Sequence, residues 1–369
     1  MREEDRLLYA DLEARLRAMG LGRVAESVLQ LARPAIRLDL TPTEETAISV
    51  GATKVGGSAD LPPDVAWPWW RGGPLPFITQ VRLEEVAGLD PEGDLPHQGL
   101  LSFFYAPTDP ESGEGVDEDF NVDPTAWRLV YTPDTTRLER RQEQWPRPER
   151  LFYRFQTAYP ACAVACSRRL TLPNVEAAAV RALGFTNDER LGYIDLVSGE
   201  SAGFETEMDH RLLGYPYTLN PDPFLSGYLA RNGIERPTLP EDPAGQERLE
   251  RAKAILAEQA QTWRLPLPGD YRGPEGVARA IADLTAAVDI AALHQALAGL
   301  GPTPPPPPDY LARMEALRWA AEAEWRLLLQ IYSNEEAEMV WPDVLHVGIA
   351  QADLATRDFS RVWVKPDFM

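Results

Sequence analysis

Residues 74–83 read PLPFITQVRL, an apolar run that carries a single glutamine, Gln80. The aromatic and β-branched residues that follow two prolines predict a strand. A glutamine inside such a strand must find partners for its amide, because buried polar groups are hydrogen-bonded. The same pattern, a single glutamine within an apolar run, recurs in EWRLLLQIYS, residues 324–333, around Gln330. The repetition predicts a sheet made of two related halves.

Other short apolar runs lie on both sides of residues 74–83, separated by clusters of proline, glycine and aspartate. They are AIRLDL (35–40), LLSFFYA (100–106), WRLVYT (127–132), LFYRFQ (151–156) and ACAVACS (161–167). This spacing is typical of a sheet-rich domain and differs from the strand–helix alternation of a parallel nucleotide-binding sheet. Trp67-Pro68 and Trp341-Pro342 also resemble each other, although they lie on opposite sides of their glutamine strands. We therefore expect mainly antiparallel or mixed strands.

Two segments show helical periodicity instead. Residues 1–34 predict an N-terminal helical segment, with leucines at helical spacing. Residues 241–324 predict an insertion of three helices, in which the prolines of 302–308 form a stiff polyproline II spacer. The predicted fold class is α+β, with a sheet-rich body over 35–240 and 325–369, an N-terminal helix and the inserted three-helix segment.

Charge excludes some classes of function. The chain has 36 Lys and Arg against 57 Asp and Glu, a formal net charge of −21. Such a surface repels phosphate backbones and anionic lipid, so we expect neither nucleic acid nor a membrane as partner. The N-terminus shows no secretory signal. The two cysteines, Cys162 and Cys166, lie too far apart on a strand to bridge. These features predict a cytoplasmic protein.

Several motifs resemble the YwqG-like family, a bacterial domain of unknown function. The opening carries Lys54-Val-Gly-Gly, then Asp60-Leu-Pro-Pro and Trp67-Pro68. The further matches are PLPFITQVRL, LPHQGLLSFFY (95–105), HRLLGYP (210–216) and the terminal LLLQIYS, WPD and DFS, which together run from about residue 36 to 363. The resemblance implies a sheet-rich, cytoplasmic α+β fold and no particular reaction. Family members usually have W-G-D-x-G near the C-terminus, whereas this chain reads WPDVL (341–345), so we expect a different turn there.

The pentapeptide GESAG, residues 199–203, matches the nucleophile elbow of serine hydrolases, with Ser201 as the candidate nucleophile. The preceding YIDLVS (193–198) could form the strand that the elbow requires. However, the candidate histidine, His210, follows only nine residues later, and the surrounding chain lacks strand–helix alternation. We favour an ordinary Gly-Ser loop over a hydrolase, and lean towards a protein that is not an enzyme.

The acidic segment ESGEGVDEDFNVD, residues 111–123, places Asp117 and Asp119 on alternate positions, as in the first half of a calcium loop. The second half fails, because Val122 stands at the glycine position and Arg128 at that of the bidentate glutamate. We expect a solvated, negatively charged loop. The four histidines show no metal-ligand spacing, so neither a metal nor a cofactor is predicted.

Aromatic and basic side chains supply the candidate binding residues. One of Trp69 and Trp70 should be exposed, since neighbours on a strand face opposite ways. His210 follows three carboxylates, which would raise its pKa; a structural hydrogen bond that anchors the LLGYP turn is the alternative. The candidate ligand- or partner-binding residues are Lys54, Trp69, Trp70, Arg71, His210, Tyr215, Asp117 and Asp119.

Three functions compete. The first is a non-enzymatic binding protein, with an immunity-like capture of a basic protein partner as one version, since a charge of −21 favours fast association with a cation. The second is a small-ligand module with a groove lined by Lys54, Trp69, Arg71, His210 and Tyr215, whose ligand the sequence does not specify. The third is the serine hydrolase that would use Ser201.

Overall fold

The computed structural model describes residues 3–106, 123–144, 159–198, 209–218, 223–237, 250–251, 254, 306–334 and 339–367. The strands in these ranges are β1 Arg33–Pro42, β2 Lys54–Gly57, β3 Ala59–Leu61, β4 Trp69–Trp70, β5 Gly73–Pro74, β6 Phe77–Arg82, β7 Leu100–Tyr105, β8 Trp127–Thr132, β9 Glu139–Arg141, β10 Tyr159–Thr171, β11 His210–Leu212, β12 Trp325–Asn334, β13 Met339–Ala350 and β14 Trp363–Asp367. The α-helices are α1 Glu3–Ala18, α2 Ala25–Leu31, α3 Leu83–Val86, α4 Ala178–Arg181, α5 Asn187–Ser198, α6 Leu225–Asn232, α7 Pro308–Glu324 and α8 Gln351–Ala355.

Ten strands form one sheet in the order β14-β13-β12-β11-β1-β10-β2-β6-β7-β8, and every pair in it is antiparallel. Two small ribbons, β3–β9 and β4–β5, accompany it. The predicted strands over 35–40, 74–83, 100–106, 127–132 and 161–167 are all present. The predicted α+β class is confirmed, while 151–156 lies outside the described residues.

The sheet has the same plan on both sides of its central pair, β1 and β10. Moving outward, each half has a short strand and then the strand that carries the buried glutamine: β2 and β6 in one half, β11 and β12 in the other. Lys54 pairs with Gln80, and Arg211 pairs with Gln330. The related halves that the two glutamines predicted are therefore present.

The two edges of the sheet approach each other. Trp127 of β8 donates its indole N–H to the carbonyl oxygen of Val362 at 3.1 Å, just before β14. The Trp127 and Trp363 rings lie 5.6 Å apart, and Tyr131 packs edge-on against Phe359 at 5.3 Å. Curvature therefore brings the edge strands into contact and gives a nearly closed, barrel-like sheet.

A second apolar cluster lies among the helices α1, α2, α4 and α5. Its buried members include Leu16, Val28, Val180 and Tyr193. The N-terminal helical segment is confirmed as two helices, but it ends earlier than predicted. Residues 33 and 34 already belong to β1, because Pro34 lies in the extended pairing with β10.

Two details of the sequence analysis are wrong. YIDLVS (193–198) belongs to helix α5 and not to a strand. Trp67-Pro68 precedes the ribbon strand β4, whereas Trp341-Pro342 lies inside β13, so the two dipeptides are not equivalent positions of the repeat.

The chain divides into two compact units, Met1–Glu235 with Ala316–Met369, and Arg236–Glu315. The three-helix insertion and its polyproline spacer fall mostly outside the described residues, and the extent 241–324 stays a prediction. In the part of the chain that the structure describes, no helix is both long and apolar enough to cross a bilayer.

Candidate functional site

A gap opens in the sheet where the short strand β11 ends. This strand pairs with β1 through Ile36 and Leu212, and with β12 through Leu212 and Leu329. Immediately afterwards, Leu213 and Gly214 take left-handed conformations, with φ of 60° and 73°, and turn the chain out of the sheet. The longer strands β1 and β12 therefore continue without a strand between them.

Three side chains surround this gap: Arg33 at the start of β1, Arg326 in β12 and Tyr215 after the turn. The Arg33 guanidinium carbon lies 4.4 Å from the centroid of the Tyr215 ring. Tyr215 is held by its backbone N–H, which donates to Thr171 Oγ1 at 2.9 Å. Arg326 Nη1 donates to the carbonyl oxygen of Trp325 at 2.9 Å. We call this site, formed by Arg33, Tyr215 and Arg326, the arginine recess.

The two arginines of the recess lack a close anionic partner among the described residues. Neither guanidinium forms an ion pair within 4.0 Å with any residue in the described ranges. Desolvation, followed by the nearby charge of Arg33, lowers the pKa of Arg326. By contrast, the partly buried Arg231 makes two hydrogen bonds to Asp353, at 2.8 and 3.0 Å. The recess therefore offers two cationic forks to a ligand.

An apolar cavity of about 60 Å³ adjoins the arginines. Phe224, Leu225 and Trp325 form part of its wall. Trp325 is only 3% exposed, and its indole Nε1 has no hydrogen-bond partner in the described structure. Phe224 stacks on Trp325 with ring centroids 6.3 Å apart. The cavity thus combines an apolar wall with a few polar groups, as small-molecule sites do.

A second, smaller recess lies against the same arginines and is lined by Asp90, Glu92 and Asp94. The Asp90 carboxylate accepts the backbone N–H groups of Gly93 and Leu95, at 3.0 and 2.8 Å. Desolvation, reinforced by neighbouring carboxylates, raises the pKa of both Glu92 and Asp94. Asp90 is thus occupied by the turn, whereas the other two carboxylates face the recess.

The related half of the sheet allows a comparison, because it contains residues that correspond to Arg326 and Tyr215 of the recess. Four residues before each glutamine stand Arg326 in one half and Pro76 in the other. Four residues after the buried cations Arg211 and Lys54 stand Tyr215 and Ser58. An uncharged residue therefore replaces Arg326 in the related half, so the sheet does not need a charge there.

Lys54 belongs to a buried polar network instead of a groove. It is fully buried, and its ammonium lies 3.3 Å from Asp60 Oδ2 and 3.4 Å from Glu45 Oε1. Gln80 donates to Asp60 Oδ2 at 2.7 Å and accepts the Asp60 backbone N–H at 3.0 Å. Desolvation lowers the pKa of Lys54 despite these carboxylates. Each polar group is satisfied internally, which suits a structural role.

The related half repeats this network with other residues. Arg211 is 1% exposed and lies 2.5 Å from Asp209 Oδ1. Gln330 donates to the carbonyl oxygen of Asp209 at 3.0 Å and accepts the backbone N–H of Tyr217 at 2.9 Å. Tyr217 follows Arg211 by six residues, as Asp60 follows Lys54. The two glutamines therefore hold equivalent turns.

His210 contradicts one expectation. Burial lowers its pKa to about 4, and the nearby charges of Asp209 and Asp39 oppose this without reversing it. The raised pKa predicted from neighbouring carboxylates is therefore wrong, because desolvation outweighs them. His210 Nδ1 accepts the backbone N–H of Tyr332 at 3.2 Å. This hydrogen bond fixes β12, and in the LLGYP turn the backbone of Tyr215 is held by Thr171 Oγ1 and Arg211 Nη1.

The remaining predicted binding residues lie in several places. Strands β2 and β11 are separated by β10 and β1, which puts Lys54 and His210 on strands about 14 Å apart across the sheet. Trp69 is 52% exposed and Trp70 6%, which confirms that one of them is exposed. Trp70 Nε1 donates to Asp123 Oδ2 at 2.9 Å, and Arg71 lies over the Trp70 ring. Of the described members of the predicted set, Tyr215 alone lines the recess.

Ser201, Asp117 and Asp119 lie outside the described residues. The chain before GESAG is the helix α5, and a nucleophile elbow requires a strand there. Within the described ranges, no three His, Cys, Asp or Glu side chains form a group that could hold a metal ion. Cys162 and Cys166 of β10 form no disulfide bond.

These features define the protein as a sheet-rich α+β domain with a buried polar network in each half and an open, charged recess in one. The family model for a domain of unknown function (DUF1963) matches residues 53–367, and the chain belongs to this family. No curated protein matches the chain. The expected domain of unknown function is thus confirmed, while the YwqG-like assignment stays a prediction.

Proposed function

We propose that this protein binds small molecules without catalysis, and that the arginine recess takes a small organic carboxylate. The observation that carries the proposal is the pair Arg33 and Arg326, both without an ion pair among the described residues. A guanidinium presents a planar fork that matches a carboxylate, and two such forks at one opening favour an anion. The position of Tyr215 under Arg33 keeps one fork in place.

The size and wall of the cavity restrict the ligand. About 60 Å³ admits only a few non-hydrogen atoms beyond the carboxylate. Phe224 and Leu225 favour an aliphatic tail over a polar one. The described lining contains no serine, cysteine or histidine, which favours binding over catalysis by a serine or cysteine nucleophile.

The test is a calorimetric titration with butyrate, a four-carbon carboxylate. The variant Arg33→Gln/Arg326→Gln should bind butyrate at least about tenfold more weakly, because each charge-assisted hydrogen bond contributes about 1.5–3 kcal/mol. The control Arg17→Gln/Arg137→Gln removes two charges from side chains that are both 62% exposed, and should bind like the wild type. Equal affinity in all three proteins would contradict the proposal.

Capture of a basic protein is the second candidate, with an immunity-like role in the cytoplasm as one version of it. Its support is the net charge of −21 and the sequence of residues 109–123, which holds seven carboxylates and no Lys or Arg. Such a charge speeds association with a cationic partner and makes it sensitive to salt. A pull-down from host lysate at low and high salt tests it: a basic protein recovered only at low salt supports capture, and salt-independent recovery of neutral partners contradicts it.

A further inference from the structure

Two arginines and two carboxylates lie around the arginine recess and the smaller recess beside it. Arg33 and Arg326 line both the apolar cavity and the smaller recess, and Glu92 and Asp94 line the smaller one. The carboxylates of Glu92 and Asp94 form no ion pair or hydrogen bond in the described part of the chain. Arg318 and Glu322 also line the apolar cavity, and Glu322 Oε2 accepts the backbone N–H of Ala178 at 3.2 Å. Arg33, Arg326, Glu92 and Asp94 thus lie around one opening without an ion pair between them.

We infer that the ligand of the arginine recess is a zwitterion of the α-amino-acid type, with its carboxylate at Arg33 and Arg326 and its ammonium facing Asp94 and Glu92. The inference rests on the proposed function and adds the second charge of the ligand. Arg33, Arg326 and Asp94 are partly buried, whereas Glu92 is exposed. A zwitterion supplies an anion for the arginines and a cation for Asp94 at once, and a partly buried charge is costly when unpaired. A simple carboxylate would leave Asp94 without a cation.

Desolvation and neighbouring carboxylates raise the pKa of both acidic side chains, Glu92 and Asp94. The pKa of Asp94 is raised first by desolvation and then by the charge of Asp90, although Arg326 and Arg33 act in the opposite direction. The arginines are therefore near enough to influence the carboxylate, yet beyond ion-pair distance. An ammonium beside Asp94, on the side away from the arginines, would lower the pKa of this carboxyl.

The apolar cavity then accommodates the side chain of the ligand. Its volume of about 60 Å³ suits a short aliphatic group. Trp325 and Phe224 line this cavity and offer apolar surface to that group. The site therefore selects a small aliphatic amino acid over a large or aromatic one.

The experiment compares three matched probes by calorimetry at pH 7: butyrate, L-2-aminobutyrate and 1-propylamine. The amino acid should bind the wild type about tenfold more tightly than butyrate, because the ammonium adds charge-assisted hydrogen bonds. In Glu92→Gln/Asp94→Asn this advantage should vanish, while butyrate should bind at least as tightly as to the wild type, because two negative charges near the arginines are removed. The control Asp64→Asn/Glu84→Gln makes the same charge change at exposed side chains and should keep the advantage.

The outcomes separate the two proposals. Equal affinity of the wild type for butyrate and L-2-aminobutyrate overturns the zwitterion while the carboxylate site stands. If the wild type binds neither butyrate nor L-2-aminobutyrate, both proposals are overturned. An advantage that survives in Glu92→Gln/Asp94→Asn shows that the ammonium lies elsewhere, and overturns the assignment of Glu92 and Asp94. Thermal melting of each variant confirms that it is folded before its titration is interpreted.

Discussion

At the scale of single residues, most buried charges in this protein have an internal partner, and the exceptions mark the recess. Lys54 and Arg211 are fully or almost fully buried, and each lies beside a carboxylate. Arg33 and Arg326 are less buried and lack an ion pair among the described residues. Since these two deeper cations lie beside carboxylates, the lack of an ion pair at Arg33 and Arg326 supports the proposed ligand.

Gly214 provides a residue-scale prediction about the turn that opens the recess. Its φ is +73°, and a Cβ there would lie 2.4 Å from Thr171 Oγ1 and 2.7 Å from Ala35 Cβ. Gly93 has a nearly equal φ of +71° and open space around it. Gly93→Ala should lower the free energy of unfolding by about 1–2 kcal/mol, from backbone strain alone.

Gly214→Ala should cost about 1–3 kcal/mol more than Gly93→Ala, because the methyl group adds overpacking to the same strain. Chemical denaturation of both variants measures the difference. Since Thr171 Oγ1 also accepts the Tyr215 N–H, the clash should weaken butyrate binding as well. Equal stability of the two variants would show that the turn is looser than the structure describes.

Two buried histidines make stability depend on pH. Burial lowers the pKa of His346 to about 3 and that of His210 to about 4, from 6.5. Below about pH 6.5 these histidines bind protons in the unfolded chain but stay neutral in the folded chain. The free energy of unfolding therefore falls as the pH falls. Each histidine should remove about 2 kcal/mol between pH 6.5 and 5.0, and the raised pKa values of Glu92 and Asp94 oppose this in part.

Urea unfolding at several pH values checks this, with His346→Gln as the variant. His346 Nε2 contacts the carbonyl oxygen of Tyr217 at 2.9 Å, and the glutamine amide retains a donor for it. The variant should lose about half of the pH-dependent change between pH 6.5 and 5.0, since one of two titrating groups is gone. An unchanged slope would mean that His346 is already protonated in the folded protein.

At the scale of elements, each half of the sheet is organised around a short strand and the glutamine-bearing strand beside it. β2 and β11 each carry a buried cation, and both end in a turn with two consecutive positive φ values, at Gly56 and Gly57 and at Leu213 and Gly214. Gln80 and Gln330 then hold the chain after each turn. The recess exists in one half because β11 stops where Arg33 and Arg326 flank it.

Gln80 gives the prediction for this scale. Gln80→Leu would leave the Asp60 N–H, the Ala52 carbonyl oxygen and part of the Asp60 carboxylate without a partner in a buried network. Each unsatisfied group costs about 1–3 kcal/mol, so the variant should lose about 3 kcal/mol or more. The exposed Gln98→Leu should change stability by less than about 0.5 kcal/mol. Denaturant titration of both variants decides, and comparable losses would refute the network.

The elements show which features a single sequence can reveal. Strands with clear alternation or isolated glutamines were predictable, because their pattern follows from burial on a sheet. YIDLVS was not, since a short apolar run fits a strand or a buried helix equally well. Packing decides it: Tyr193 is fully buried in the helical cluster and donates its hydroxyl to the Pro173 carbonyl oxygen at 2.8 Å.

At the scale of the whole molecule, the sequence predicted the fold far better than the site. The antiparallel sheet and its two halves follow from local patterns, whereas Arg33 and Arg326 are far apart in the chain and meet only because β11 ends between them. Arginine is abundant in this chain, so the presence of an arginine did not by itself indicate a binding residue. The repeat gave the one available indication, because Arg326 in one half corresponds to Pro76 in the other.

The central claim is that the arginine recess binds a small carboxylate, and a ¹⁹F NMR titration with 4,4,4-trifluorobutyrate tests it most directly. The fluorines would enter the cavity beside Phe224 and Trp325, so their resonance should shift and saturate with the wild type. In Arg33→Gln/Arg326→Gln the dissociation constant should rise at least about tenfold. A resonance that does not shift with the wild type, or that saturates equally in the variant, would contradict the account.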